Sequence, residues 1–174
     1  MKGTANYSLC YQGGDLKIIG YTDADWAGDL DGRKSTSGYT FLLNGGAISW
    51  ASKKQTCITL STMEAKFVTS ASAVQEAVWL RRFLQHFGIV TNAQEMVTIY
   101  CDNQASIAYT KDPKYHGKTK HIDIKYNYVK EIVSRGEVVL QYLNTHQMLA
   151  DPLTKPIGQD VFKSHVKTMG LRCL

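Results

Sequence analysis

Thr36-Ser37-Gly38-Tyr39-Thr40-Phe41-Leu42-Leu43 and Ala47-Ile48-Ser49-Trp50-Ala51 flank Asn44-Gly45-Gly46. Asn and Gly accept positive φ at little steric cost, so the link predicts a tight hairpin between two strands. Upstream, Leu16 to Thr22 mixes apolar and β-branched residues and reads as another strand, separated by the turn-rich Gly28-Asp29-Leu30-Asp31-Gly32. The first third of the chain is therefore an antiparallel meander. Downstream the period changes. Met63, Phe67, Val74, Val78 and Leu84 recur near helical spacing, with Thr59 or Ser61 as cap and Gly88 as stop. Val97 to Cys101 is a short apolar strand, Asn103 to Thr110 a helix broken by Asp112-Pro113, and Thr119 to Ser134 a helix ended by Gly136. Val138 to Leu143 is a fifth strand and Gln159 to Met169 a last helix. Strands separated by helices favour parallel pairing. The expected fold is α/β: a five-stranded mixed sheet, three antiparallel strands then two parallel, flanked by helices.

The chain has 174 residues, 44% hydrophobic and 20% charged, which fits one globular domain and excludes a disordered chain. Its net charge of +5 suits a polyanionic partner without identifying one. No run of 18 apolar residues is present, and Met1 to Gln12 lacks the apolar core of a secretory leader, so no membrane partner is expected. Cys10, Cys57, Cys101 and Cys173 are scattered, which argues against a disulfide framework and a structural zinc site.

Acidic residues stand at the ends of elements. Asp23 closes the first strand in Tyr21-Thr22-Asp23-Ala24-Asp25-Trp26, and Asp102 closes the fourth. Glu64 lies in the first turns of the long helix, and Asp151 opens the final helical region. In open α/β sheets ligands bind beyond the strand ends. Each carboxylate also has a structural role open to it. Ser61-x-x-Glu64 has the pattern of a capping box, Asp102 can cap the next helix, Asp151-Pro152 can start one, and Asp23 and Asp25 can decorate a turn. Four carboxylates at one edge repel one another, a penalty that divalent cations remove, and all-oxygen ligand sets suit Mg²⁺.

The motifs Gly20-Tyr21-Thr22-Asp23-Ala24-Asp25-Trp26-Ala27-Gly28, Arg33-Lys34-Ser35-Thr36-Ser37-Gly38-Tyr39, Ser49-Trp50-Ala51-Ser52-Lys53-Lys54-Gln55, Ser61-Thr62-Met63-Glu64-Ala65, Asp102-Asn103-Gln104, Thr119-Lys120-His121-Ile122-Asp123 and Ala150-Asp151-Pro152-Leu153-Thr154-Lys155 follow one another in the chain. In that order they resemble the ribonuclease H domain at the end of copia-type LTR-retrotransposon polyproteins. The resemblance implies three regions. Residues 1–14 are a remnant of the linker after the reverse transcriptase, 15–157 the ribonuclease H domain, and 158–174 a C-terminal tail with a short helix. It places the family's four acidic ligands on Asp23, Glu64, Asp102 and Asp151, and prefers Asp23 to Asp25, which alternation puts on the same face. One departure is Lys66, where the family usually has an acidic residue. It is two residues from Glu64 on another helix face, so no direct loss of chemistry is expected.

The implied function is hydrolysis of the RNA strand of RNA–DNA hybrids during reverse transcription, giving 5′-phosphate products through two Mg²⁺ ions, with Mn²⁺ as substitute. The implied partners are the hybrid and the reverse transcriptase domain of the same polyprotein, in cytoplasmic retroelement particles. Asn103 and Gln104 are candidates for reading the RNA 2′-hydroxyl, and Arg33, Lys34, Ser35, Thr36, Lys53 and Lys54 for holding DNA phosphates. Trp50 is expected in the core, given how much area a Trp buries. His146, five residues before Asp151, is a possible auxiliary group with a small expected effect. His116 and His121 lack further ligands for zinc, and Lys118, Lys120 and His121 stay open as substrate contacts. The competing readings are a weak or inactive nucleic-acid-binding module of a decayed or domesticated element, and another nuclease or integrase-like enzyme on the same fold.

Overall fold

A computed structural model describes residues 6–14, 16–29, 31–90, 95–111 and 120–173 of the chain. His116, Lys118 and Thr119 lie outside the described residues, as do the side chains of Lys120 and His121. In chain order the elements are β1 (Tyr7–Leu9), β2 (Ile18–Asp25), β3 (Thr36–Leu43), β4 (Gly46–Lys54), α1 (Thr62–His86), β5 (Val97–Cys101), α2 (Gln104–Lys111), α3 (Lys120–Ser134) and β6 (Val138–Tyr142). Two short 3-10 helices, Thr145–Gln147 and Asp151–Leu153, lead to α4 (Gln159–Thr168) and β7 (Leu171–Cys173).

The main sheet has the order β4-β3-β2-β5-β6. β2, β3 and β4 pair antiparallel, while β5 runs parallel to both β2 and β6. This is the expected α/β sheet. The hairpin turn is Asn44-Gly45, both at positive φ (51° and 70°), because Leu43 pairs with Gly46. α1 lays Ala71, Val74, Ala77 and Val78 against Ile18, Phe41 and Ile99 of the sheet, and Val129 and Ile132 of α3 close the same core.

Two features add to expectation. β4 continues to Lys54, beyond Ala51, which carries the strand to the edge where the carboxylates gather. The sequence assigns residues 1–14 and 158–174 to a linker and a tail. Their described parts pair with each other as β1 and β7, and Cys10 N–H donates to Gly170 O while Ala47 N–H donates to Met169 O. Strands of three residues carry no legible alternation, and their pairing spans nearly the whole chain, so local pattern could not announce it.

Candidate functional site

Parallel pairing of β2 and β5 sets Thr22 beside Cys101, so the next residues, Asp23 within β2 and Asp102 just after β5, come together at one edge of the sheet. The segment after β6 supplies the third carboxylate. The 3-10 helix Asp151–Leu153 lies over Gly38 of β3, the register partner of Asp23. A Cβ on Gly38 would stand 2.6 Å from Thr154 Cγ2 and 2.9 Å from Leu153 Cβ, so the approach needs a residue without one. Ser52 Oγ donates to Leu153 O at 2.6 Å and Thr154 Oγ1 to Asp23 Oδ2 at 2.5 Å, which fixes the segment.

Two lysines neutralise this cluster. Lys66 Nζ, on α1, lies 2.7 Å from Asp23 Oδ1 and 2.5 Å from Asp102 Oδ1. Lys155 Nζ lies 3.2 Å from Asp151 Oδ2 and 3.4 Å from Asp23 Oδ2. Burial alone would raise the pKa of Asp23, but the Lys66 ammonium, the Thr154 hydroxyl and Lys155 outweigh it and hold that pKa at about 2. Asp151 is pushed the other way, up to about 6, by burial first and then by repulsion from Asp23, with Lys155 opposing. Its Oδ1 is buried without a hydrogen-bond partner. Burial would lower the pKa of Lys66, yet Asp23 and Asp102 raise it, so the ammonium form is favoured.

Glu64 is turned away from these groups. Ser61 is the N-cap of α1, its hydroxyl accepts from Glu64 N–H at 3.1 Å, and the Glu64 carboxylate accepts from Leu60 N–H at 2.6 Å. That is a capping-box arrangement, with Leu60 N–H in place of the cap residue's own. Glu64 and Lys66 do occupy different helix faces, as the sequence implies, but the face that meets Asp23 and Asp102 is that of Lys66. Lys66, a departure from which no direct loss of chemistry is expected by sequence, thus stands between Asp23 and Asp102, while the Glu64 carboxylate is bonded at the helix start.

The remaining candidates divide. Arg33 and Lys53 are exposed, Lys34 and Thr36 half-buried, and Lys54 pairs with Asp29 at 2.9 Å. Lys53 and Lys54 line a cleft of about 370 Å³ with Gln55 and, from α3, Lys125. Ser35 is buried, with its hydroxyl shared between Thr59 Oγ1 and Ala27 N–H, so it does not face a phosphate. Trp50, expected in the core, is 61% exposed. It sits in the middle of edge strand β4, opposite Thr40. Asn103 Oδ1 accepts from Ser106 N–H at 2.7 Å, so Asn103 rather than Asp102 caps α2, while Gln104 is exposed. His146 is exposed on a groove of about 360 Å³ shared with Tyr21, Tyr100 and His165. Its neighbour Thr145 donates to Asp102 Oδ2 at 3.0 Å. Lys155, Thr154 and Thr145 are thus site residues the sequence reading did not single out, although the first two stand within the quoted Asp151 motif.

As placed, the side chains at this edge do not fit a four-carboxylate, two-ion set. An ammonium fills the gap between Asp23 and Asp102, and Glu64 is engaged at the helix start. Among the described residues no group of three or more His, Cys, Asp or Glu side chains is arranged to hold a metal ion.

No protein-family model matches the chain. It is 41% identical over 171 residues to the retrovirus-related Pol polyprotein from transposon TNT 1-94 of Nicotiana tabacum, covering 98% of this chain and 13% of that protein. It is 35% identical over 172 residues to the corresponding polyprotein from transposon RE1 of Arabidopsis thaliana, covering 98% of this chain and 12% of that protein. The chain therefore spans about an eighth of the length of these relatives. Among solved structures, LC11-RNase H1 in complex with an RNA/DNA hybrid superposes with a TM-score of 0.55 at 18% identity, covering 79% of this chain and 94% of that one. The foamy viral protease-reverse transcriptase in complex with an RNA/DNA hybrid gives a TM-score of 0.55 at 12% identity, covering 84% of this chain and 21% of that one. Over nearly its whole length the chain is a homologue of the retrovirus-related Pol polyproteins of plant transposons, and its fold is that of a ribonuclease H domain.

Proposed function

We propose that the chain binds RNA–DNA hybrids at the edge where Asp23, Asp102 and Asp151 meet, as the ribonuclease H-type domain of a longer transposon polyprotein. The observation that carries this reading is the gathering of three aspartates, from β2, β5 and the segment after β6, at one edge of a ribonuclease H sheet. Two solved structures of this fold hold RNA/DNA hybrids, which supports the substrate class. The exposed Gln104 lies beside Asp102 and suits a contact with the RNA 2′-hydroxyl. Arg33, Lys34, Lys53 and Lys54 supply charge for phosphates, and the exposed face of Trp50 suits a base or sugar. The reverse transcriptase of the same polyprotein is the proposed covalent neighbour, and retroelement particles in the cytoplasm the proposed setting.

Cleavage of the RNA strand through two Mg²⁺ or Mn²⁺ ions to 5′-phosphate products is the second reading. The retention of Asp23, Asp102 and Asp151 at one edge favours it. The lysine-filled arrangement does not, so hybrid binding is the better-supported function. The test is fluorescence anisotropy with labelled hybrid, duplex DNA and duplex RNA, all in EDTA. The hybrid should bind at least about tenfold tighter than either duplex, and its affinity should fall steeply between about 50 and 200 mM salt as counterions are released. Equal affinities, or a flat salt dependence, would remove the reading.

A further inference from the structure

We infer that the Lys66 ammonium takes the place of a divalent cation between Asp23 and Asp102, so that this chain keeps its carboxylate edge intact without metal and is closed to a metal pair there. The inference deepens the hybrid-binding reading and rests on it for the substrate class. Three observations carry it. Lys66 Nζ bonds both carboxylates at once, at 2.7 and 2.5 Å, which is the bridging position a shared ion would need. Its side chain is only 10% exposed, so the ammonium is enclosed by the site and not a passing surface contact. Residue 66 as a whole is 8% exposed and belongs to the buried part of α1, with Ala65, Phe67, Thr69 and Ser70.

The charge arithmetic agrees. Three carboxylates, Asp23, Asp102 and Asp151, meet two ammoniums, Lys66 and Lys155, leaving a formal charge of −1. Three carboxylates without counter-charge would attract a divalent ion strongly, whereas a cluster at −1 that already encloses a cation attracts it far less. Entry of an ion between Asp23 and Asp102 would require the ammonium to leave a site in which both its partners are almost fully buried (side-chain exposures of 0% and 7%). Position 66 is thus the switch between two ways of neutralising one edge. An acidic side chain there would face Asp23 and Asp102 and add a ligand, and a lysine supplies the cation itself.

The test compares the wild-type chain with Lys66→Glu and Lys66→Gln, using Mn²⁺ titration by electron paramagnetic resonance, melting with and without Mn²⁺, and hybrid binding in EDTA. Wild-type protein should show no saturable Mn²⁺ binding below about 1 mM and the same Tm in Mn²⁺ and EDTA. Lys66→Glu should bind Mn²⁺ at least about a hundredfold more tightly, melt higher with the ion, and gain Mn²⁺-dependent cleavage of a labelled hybrid. Should four carboxylates without metal prevent Lys66→Glu from folding, Lys66→Gln still decides, because loss of the ammonium alone should strengthen Mn²⁺ binding at least about tenfold. Tight Mn²⁺ binding by the wild type, or unchanged binding in both variants, overturns the inference. Hybrid binding in EDTA by the wild type is read separately. Its absence would defeat the proposed function while leaving the metal result to stand or fall alone.

Discussion

Replacing Lys66 by Met removes the ammonium while keeping most of the stem that packs in the core, and the structure sets the size of the effect. Asp23, with no side-chain exposure, would keep only the Thr154 hydroxyl at 2.5 Å and Lys155 at 3.4 Å, and Asp102 only Thr145. Removing one partner of a buried ion pair costs about 3–5 kcal/mol, and the surviving donors reduce this to an expected loss of about 2–4 kcal/mol at pH 7.5. The pH dependence follows from Asp23. With its pKa at about 2 in the wild type, below the unfolded value, Asp23 contributes stability above about pH 4 that is lost as pH falls through 4 towards 2. Without Lys66 that depression lessens, so the variant loses less stability than wild type on acidification and the gap between them narrows as pH falls through 4 towards 2. The assay is urea unfolding followed by circular dichroism in EDTA, with Asp23→Asn and the double variant completing a cycle. Coupling between the two sites should be at least about 1.5 kcal/mol, because the residues touch. A loss under about 0.5 kcal/mol at pH 7.5, or a gap that does not narrow, would refute the buried-pair reasoning.

Asp151, raised to about 6, binds more protons folded than unfolded between roughly pH 4 and 6, so its contribution to stability falls as pH rises through that window. Asp151→Asn should therefore gain stability relative to wild type from pH 4.5 to pH 7 in urea midpoints, and a relative loss would contradict the assignment. Gly38→Ala would place a methyl 2.6 Å from Thr154 Cγ2 and should cost about 1–3 kcal/mol by lifting the Asp151–Leu153 turn off β3, measured by thermal unfolding. Glu64→Gln should stay within about 0.5 kcal/mol of wild type with hybrid affinity unchanged, since an amide oxygen can still accept from Leu60 N–H, whereas Glu64→Ala should lose about 1 kcal/mol. A drop in hybrid affinity on Glu64→Gln would return that carboxylate to the binding edge.

The sheet was legible because each of its strands carries its own signal. Asn44-Gly45 fixes the hairpin by backbone conformation alone, and Val97 to Cys101 is apolar between helical segments whatever the rest of the chain does. The gathering of Asp23, Asp102 and Asp151 was legible for a related reason, since strand ends in a parallel pair share an edge by topology. Trp50 was misplaced because burial of an edge-strand side chain depends on what covers that edge, which no local pattern states. Ser35 looked like a phosphate donor by type, yet its hydroxyl closes the loop onto Thr59, 24 residues away.

Glu64 and Lys66 present the same problem in its sharpest form, because residue type and helix phase point to different residues. Ser61 as N-cap fixes where α1 begins, and with it which positions look back at the chain before the helix and which look into the sheet. Glu64, three residues after the cap, has the spacing at which a carboxylate returns to the helix start. At 3.6 residues per turn, two more residues rotate the side chain by about 200°, so Lys66 takes the sheet-facing position. An acidic residue is the expected chemistry for a metal edge, so a reading by type selects Glu64 and treats the lysine as a neutral departure. A reading by phase selects position 66 and finds the departure inside the site. The capping bonds at Leu60 and Ser61 and the two carboxylate contacts of Lys66 all agree with phase. In this chain the charge at position 66, not the presence of an acid three residues after the cap, determines whether Asp23 and Asp102 face a metal or an ammonium.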